Sequence, residues 1–442
     1  MGRLKLPEKG LNKKDLLAKL RSFKANDADW HEGRMFGLIY YAGEDVEEIV
    51  REAYALYMFE NALSPFAFPS LLKMENEFIS MVGSLFKGGE DAGGSMTSGG
   101  TESILMAVKA ARDWAKTTHP QVKTPEIVAP ITIHPAWNKA ADYLGLKIIL
   151  TPVNEDWRAN VQAMAEAIND HTIMLGASAV TYPHGMVDPI PEIGKLAEEK
   201  NLWLHVDACL GGYILPFLEM SGYEIPAYDF SVPGVKSISV DIHKYGYVSK
   251  GASTILYRTK DLREFQFFVY PDWPGGIYAT PCLSGARPGG AIAASWAILH
   301  YLGEEGFKKL AKQAREATIK IIQGINQIPE LYVLGNPPAT VFAFGSEKLN
   351  IYKLAEKLKE KKWHIDAQHR PPSLHMTVSP FQERIVEDFL KDLKEAVAEV
   401  RQIDKEDTSG MAAIYGMMGT MPDRKMARDF ALKYLNNLYQ LK

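Results

Sequence analysis

Lys244 is the side chain with the most chemistry open to it. It sits in SISVDIHKYGYVSKG (237–251), beside His243, just past an apolar stretch that reads as a buried strand. A lysine buried there pays for its charge. Desolvation lowers its pKa and makes the neutral amine accessible, which is what a Schiff-base lysine requires. On its own it reads more readily as a strand-end lysine reaching solvent. Asp207 tips the balance, because it ends a second apolar strand, LWLHVD, far enough upstream for the chain to leave the sheet and return. A strand-end carboxylate followed by a strand-end lysine suits pyridoxal 5'-phosphate. The carboxylate keeps the pyridine nitrogen protonated, so the ring can take up electrons, and the amine carries the aldehyde. Alone, an aspartate there also caps a turn.

A third element is SGGTES (98–103). Its glycines let backbone approach an anion, and Thr101 opens a helix whose free N–H groups favour a phosphate. The same residues form a plain helix cap. GxGxxG spacing and a GK[ST] ending are both missing, which argues against dinucleotide-binding and P-loop folds. His134 follows another strand and could stack on a flat cofactor or be satisfied within its loop. His364, His369 and His375 have no HExxH spacing, and His369 precedes Arg370-Pro371-Pro372, so no metal is expected.

The surrounding sequence must position these residues. Strand-like runs at EIVAP (126–130), KIILTPV (147–153), TIMLGASAVT (172–181), LWLHVDA (202–208), SISVDIHK (237–244) and STILYRT (253–259) alternate with helical stretches. Uniformly apolar strands are covered on both faces, so the fold class is α/β with a large, mostly parallel sheet. GGSMTSGGT reads as a glycine-bearing loop. A long helix is predicted around 290–325. Beyond it the pattern changes to a small C-terminal α+β unit, with a helix returning by Asp423. The division expected is an N-terminal arm with helices (1–70), a large cofactor domain (71–325) and a small domain (326–442).

The 442 residues are 46% hydrophobic and 24% charged, with a formal net charge of −4. That is an ordinary globular composition and too acidic for phosphate-gripping nucleic-acid binding. Two cysteines, Cys209 and Cys282, exclude a disulfide framework and fit a reducing, cytoplasmic setting. The N-terminus lacks the apolar core of a secretory signal, and no apolar run approaches membrane-spanning length. The basic stretch Leu11–Arg21 suits an amphipathic arm packed on a partner or, alternatively, peripheral contact with a membrane surface.

Taken together, TSGGTESILMAVKA, TPEIVAP, HVDACLGG, VPGVKSISVDIHKYGYVSKG, DWPGGIYATP, GARPGG and TSGMAAIYGM resemble the group II decarboxylase family of pyridoxal-phosphate enzymes. Within it they resemble the lyases that act on phosphorylated long-chain bases. The resemblance runs from about Gly33 to the C-terminus. It implies fold type I and a homodimer with composite active sites. It implies Lys244 as the Schiff-base lysine, Asp207 at the pyridine nitrogen, His134 against the ring, and Gly100, Thr101 and His243 at the cofactor phosphate. Tyr40, Lys250 and Tyr278 match family positions around the substrate, and Asn61 matches an asparagine of the substrate loop. The implied reaction is retro-aldol cleavage of sphingosine 1-phosphate, or a related base, to a fatty aldehyde and phosphoethanolamine. Decarboxylation of an amino acid on the same scaffold is the alternative.

Three departures stand out. The family loop after the asparagine runs Leu-His-Pro-Asp, where this chain has Leu63-Ser64-Pro65-Phe66. Ser64 thus replaces a histidine of the substrate-phosphate region. The family's Gly-Ser-Arg is Gly285-Ala286-Arg287 here, one hydroxyl fewer near the cofactor phosphate. The membrane anchor of eukaryotic members has no counterpart, which fits a soluble, microbial-type relative.

Overall fold

The computed structural model describes residues 4–403, 405, 409–410, 421 and 423–440. The motif TSGMAAIYGM lies almost wholly outside the described residues. The large sheet takes in β1 (Gly93–Thr97), β2 (Glu126–Pro130), β3 (Lys147–Thr151), β4 (Thr172–Ser178), β5 (Trp203–Asp207), β6 (Val235–Val240) and β7 (Ser253–Tyr257). Their order is β1-β7-β6-β5-β4-β2-β3. β2 to β6 pair in parallel, and β7 alone runs against them, between β6 and β1.

Side-chain alternation divides the core between the two faces of this sheet. Ile127 and Ala129 of β2 join the helices Gly100–Thr118 and Ala136–Leu144 on one face. Val128 points the other way, into a cluster with Phe78, Ile193 and Leu215 from three further helices. Two covered faces explain why β2, β4 and β5 are buried along their whole length.

A hairpin, β8 (Phe268–Trp273) with β9 (Gly276–Thr280), stands apart and is mostly exposed. Four further strands, β10 (Tyr332–Val333), β11 (Val341–Gly345), β12 (Asp366–His369) and β13 (Pro372–Thr377), form an antiparallel sheet in the order β10-β11-β13-β12. It packs on the helices Ile351–Glu360 and Val386–Val400. The helix Gly289–Asn326 ties the two halves together. Its first part lies in the large core (Ala291, Ala294, Ile298) and its last part in the small one (Ala317, Ile321, Ile325). It kinks at Gly303, where φ is +56°, a left-handed value that glycine adopts without strain.

Two expectations need correction. GGSMT is a fully buried strand and not a loop. Its glycines are selected by close approach, since a Cβ on Gly94 would press on the Ile255 carbonyl of β7, and glycine hides a strand from propensity. β6 ends at Val240, so His243 and Lys244 belong to the turn beyond it.

Candidate active site

The carboxyl ends of the parallel strands meet at a cavity of about 350 Å³. This is where open α/β sheets place their ligands. Ser98 and Gly99 follow β1, His134 follows β2, Ser178 ends β4, Asp207 ends β5, and Asp241, His243 and Lys244 follow β6. Topology therefore brings Lys244, Asp207, His134, Gly100, Thr101 and His243 to one cavity.

Lys244 Nζ lies 3.0 Å from Asp241 Oδ2, and His243 Nε2 lies 3.4 Å from the same oxygen. Burial opposes the lysine's charge. The Asp241 carboxylate outweighs that, helped by Cys209, Tyr40 and Asp207, and holds the ammonium well above its ordinary range. The expectation of a lysine neutralised by desolvation is thus reversed. Burial likewise opposes the charge on Asp241, and Lys244 and His243 hold its carboxyl well below the usual range. Neither the ion pair nor Asp241 was anticipated from sequence. Its signal was the i, i+3 spacing of Asp241 and Lys244, which one turn of chain brings together.

Asp207 Oδ1 accepts from the Cys209 N–H at 3.1 Å and from the Ser239 hydroxyl at 3.4 Å. Both bonds fall on one oxygen, leaving Oδ2 for a donor in the cavity. A buried polar ladder supports it. His205 bridges Ser237 (2.8 Å) and Ser239 (3.1 Å), and Trp203 Nε1 donates to Ser237. Burial pushes the His205 imidazole down to about 4, against the pull of Asp207. Trp203, His205 and Asp207 alternate along β5, as Ser237 and Ser239 do along β6, with His205 opposite Ser237 and Asp207 opposite Ser239. That period-two polar pattern was legible in the sequence.

The helix Gly100–Thr118 starts at the cavity with no side-chain cap, so its first N–H groups are free for an anion. A Cβ on Gly100 would fall 2.7 Å from Cys209 Sγ and 2.9 Å from Asp241 Oδ2, so only glycine fits. His134 Nδ1 accepts from the Ala136 N–H at 3.1 Å. Burial lowers its pKa and Asp207 partly offsets this.

Tyr40 and Lys250 line a second cavity of about 570 Å³, walled by Val46, Val50, Tyr54 and Val248, which shares His243 with the first. Lys250 is exposed as a residue, yet its ammonium turns inward. It donates to the His243 carbonyl at 2.9 Å and lies 4.8 Å from the centre of the Tyr40 ring. Desolvation, reinforced by the Lys244 charge, pushes its pKa down to about 8. Burial pushes the Tyr40 phenol up to about 12.

Asn61, Ser64 and Tyr278 line neither cavity in their own chain. Asn61 Oδ1 accepts from the Leu63 and Arg287 N–H groups at 3.0 and 3.1 Å. The Ser64 hydroxyl accepts from Ala67 N–H at 3.4 Å, and Phe66 is 97% exposed. Tyr278 stands on β9 between Phe268 and Trp273, with its hydroxyl at Gly285. The loop, the hairpin and Gly285–Arg287 therefore form a separate rim. Among the described residues no three His, Cys, Asp or Glu side chains converge as a metal cluster would.

Residues 3–344 match the family described as the pyridoxal-dependent decarboxylase conserved domain. Sphingosine-1-phosphate lyase 1 of Rattus norvegicus is 42% identical over 437 residues, covering 98% of this chain and 77% of the rat protein. The Dictyostelium discoideum sphingosine-1-phosphate lyase is also 42% identical, over 98% of this chain and 82% of its own length. The solved structure of a Burkholderia pseudomallei sphingosine-1-phosphate lyase superposes with a TM-score of 0.91 at 35% identity, covering 100% of this chain and 98% of that one. A Lactobacillus brevis glutamate decarboxylase shares the fold, with a TM-score of 0.80 at 18% identity over 91% of this chain and 96% of its own. On the family match and on these full-length relatives, the chain belongs to the pyridoxal-dependent decarboxylase family, in its sphingosine-1-phosphate lyase branch.

Proposed function

We propose that this protein cleaves the C2–C3 bond of sphingosine 1-phosphate, or a related phosphorylated long-chain base, to a fatty aldehyde and phosphoethanolamine. What carries the reading is one cavity holding Lys244, Asp207, His134 and a helix N-terminus, in a chain about 40% identical to such lyases along its length. The donor set fits pyridoxal phosphate. It offers an amine for the aldehyde, a carboxylate oxygen for the ring nitrogen, an imidazole for the ring face, and uncapped N–H groups over Gly100 for the phosphate. When bound, the cofactor supplies a ring that takes up the electron pair of the broken bond.

The chain's own residues do the rest. Asp241 keeps Lys244 charged and oriented until the cofactor is loaded. Asp207, braced by Ser239 and Cys209, holds a proton at the pyridine nitrogen. Thr101 and His243, both on the cavity wall, would hold the phosphate. The reaction removes one proton from the C3 hydroxyl and delivers one to C2, so an acceptor and a donor are needed. Lys250, poised near neutrality, and the Tyr40 phenol are the groups placed for those roles. The alternative, amino-acid decarboxylation, has only a fold-level likeness behind it.

The rim points to a second copy. Phe66, Val269, Trp273 and Ile277 are exposed in one chain, a patch of the kind that marks an interface. We assign Tyr278, Asn61 and Ser64 to the partner's site in a homodimer. The basic helix Lys13–Phe23 presents Leu16, Leu17, Leu20 and Phe23 outward and suits contact with that partner, or alternatively with a membrane surface. No helix among the described residues is long and apolar enough to cross a membrane. We assign the protein to the cytoplasm, where the free thiols Cys209 and Cys282 would stay reduced. We also keep the three-part division at residues 70 and 325.

The test incubates purified protein with pyridoxal phosphate and sphingosine 1-phosphate and measures long-chain aldehyde and phosphoethanolamine. Both products are expected from the wild type and neither from Lys244→Ala. A yellow cofactor-loaded protein that forms neither product overturns the substrate assignment.

A further inference from the structure

The second cavity is walled by apolar side chains that the chemistry above does not use. Val46, Val50 and Tyr54 line it from the helix Glu44–Leu56, four residues apart and so on one face. Met58 lines it just beyond that helix, and Tyr247 and Val248 line it from the turn that follows Lys244. Its volume of about 570 Å³ exceeds the 350 Å³ of the cofactor cavity and suits a small-molecule site, roughly 300–1,000 Å³. Its polar groups fall into two sets. His243, Ser249 and Lys250 stand on the side of the cofactor cavity, which shares His243. Glu47 and Arg51 are largely exposed and lie 3.8 Å from each other.

Lys250 and Tyr40 join this cavity to the chemistry. The Lys250 ammonium lies 4.8 Å from the centre of the Tyr40 ring and bonds to the carbonyl of His243, the residue before Lys244. A base whose C2 amine meets the Lys244 site presents its C3 hydroxyl one bond further on, at these two groups. From C4 onward the base is hydrocarbon. The cofactor cavity is the wrong place for it. Asp207, Asp241, His134 and Lys244 line that cavity, and a hydrocarbon laid against them would strip charged groups of water without offering a partner. The second cavity begins at the groups that face C3 and offers valine, tyrosine and methionine side chains beyond them.

We infer that the cavity along helix Glu44–Leu56 holds the hydrocarbon chain of the base and sets the chain length that the enzyme accepts. The inference rests on the lyase reading above. Ala55 gives access to it, since this residue lines the cavity yet is exposed. A larger side chain there enters the cavity without displacing the core.

The test measures kcat/KM for phosphorylated bases shortened two carbons at a time, below the concentrations at which they form micelles. In the wild type each methylene that enters the cavity should raise kcat/KM about fourfold, up to a plateau where the cavity is full. Ala55→Phe should move the plateau to shorter chains and cost the longest bases about tenfold, roughly two displaced methylenes. Glu52→Phe, on the same helix but exposed and outside the cavity lining, should keep the wild-type plateau. A bromine-tipped decanol gives a readout without turnover. Trp30 lines the cavity, so the probe should quench its fluorescence saturably in apo protein. That quenching should disappear in Trp30→Phe and need more probe in Ala55→Phe. A loss in Ala55→Phe that is equal at every chain length overturns the inference, and if the dimer also dissociates in sedimentation the cavity is a contact with the second copy. Absence of saturable quenching in the wild type, or its persistence in Trp30→Phe, overturns it too. If the wild type cleaves none of the bases, the lyase reading fails, while the quenching still decides whether this cavity takes an alkyl chain.

Discussion

On the floor of the cofactor cavity, the charged groups find their partners within one chain. Lys244 and His243 share Asp241, and Asp207 rests on Cys209, Ser239 and the His205 ladder. On the rim, Phe66, Val269, Trp273 and Ile277 face solvent, and Tyr278 and Ser64 line neither of the two cavities described above. Buried charge without a partner is expensive, so a floor has to be finished in the fold that contains it. Exposed aromatics carry no such penalty and can wait for a second surface. The contrast separates chemistry that one copy can hold from recognition that, in the proposed homodimer, would need two.

The largest effect comes from splitting floor from rim. Lys244→Ala and Tyr278→Phe should each be inactive or nearly so. If the rim of one copy completes the floor of another, refolding the two variants together leaves one intact site in each mixed dimer. About one quarter of wild-type activity should then return. Activity that stays at background after mixing, with mixed dimers present by mass spectrometry, would place Tyr278 in its own chain's site.

Gly100 tests how tightly the floor is fitted. In Gly100→Ala the new methyl meets Cys209 Sγ and Asp241 Oδ2 at under 3 Å, so the helix start or the Asp241–Lys244 pair must shift. The dissociation constant for pyridoxal phosphate should rise about tenfold or more, roughly 1.4 kcal/mol, read by fluorescence titration of the apo protein. The same glycine-to-alanine change at Gly89, an exposed loop position outside the cavity lining where a Cβ would meet nothing within 4 Å, should leave cofactor affinity unchanged. Equal affinities in Gly100→Ala and wild type would mean the phosphate does not sit at that helix.

The same contrast explains what was legible in the sequence. Lys244, Asp207, His134 and Gly100 could be placed because strand ends in a parallel sheet converge, and apolar runs mark strand ends. Asp241 escaped notice because the strand was read through to Lys244, which put the aspartate inside it. The buried strand Gly93–Thr97 was hidden by glycines chosen for close approach to β7. The ladder under Asp207 was visible as alternation but needed the β5–β6 register to become a contact. Residues on the rim carry no periodic signal, and Ser64 and Phe66 show only as departures from a family pattern.

A smaller effect separates two lysines six positions apart. Asp241 holds Lys244 charged throughout the working range, whereas Lys250 is pushed down to about 8. If neutral Lys250 accepts the substrate proton, kcat/KM should rise about tenfold per pH unit toward pH 8 and then level off. Lys250→Arg, which cannot lose its proton, should abolish that limb and leave cofactor binding intact. A limb that persists in Lys250→Arg assigns the titration to another group.

The last effect is on stability, and the rim has no share in it. Burial pushes His205 down to about 4 in the folded chain, while in the unfolded chain it titrates near 6.5. Between those values the unfolded state binds more protons, so stability rises with pH. The contribution of His205 is complete above about 6.5 and is lost as pH falls toward 4, at most about 3 kcal/mol. Denaturant unfolding of apo protein at pH 7 and pH 5 should show the loss. His205→Asn keeps a donor and an acceptor but does not titrate, so its stability should fall less over that interval even if it starts lower. His184 and His375 are pushed the same way, and some slope must therefore survive. Trp273→Ala on the rim removes no proton site and should leave the slope at its wild-type value. Identical slopes in His205→Asn and wild type would mean that the ladder under Asp207 admits a charged imidazole, and that the floor is less tightly closed than its hydrogen bonds imply.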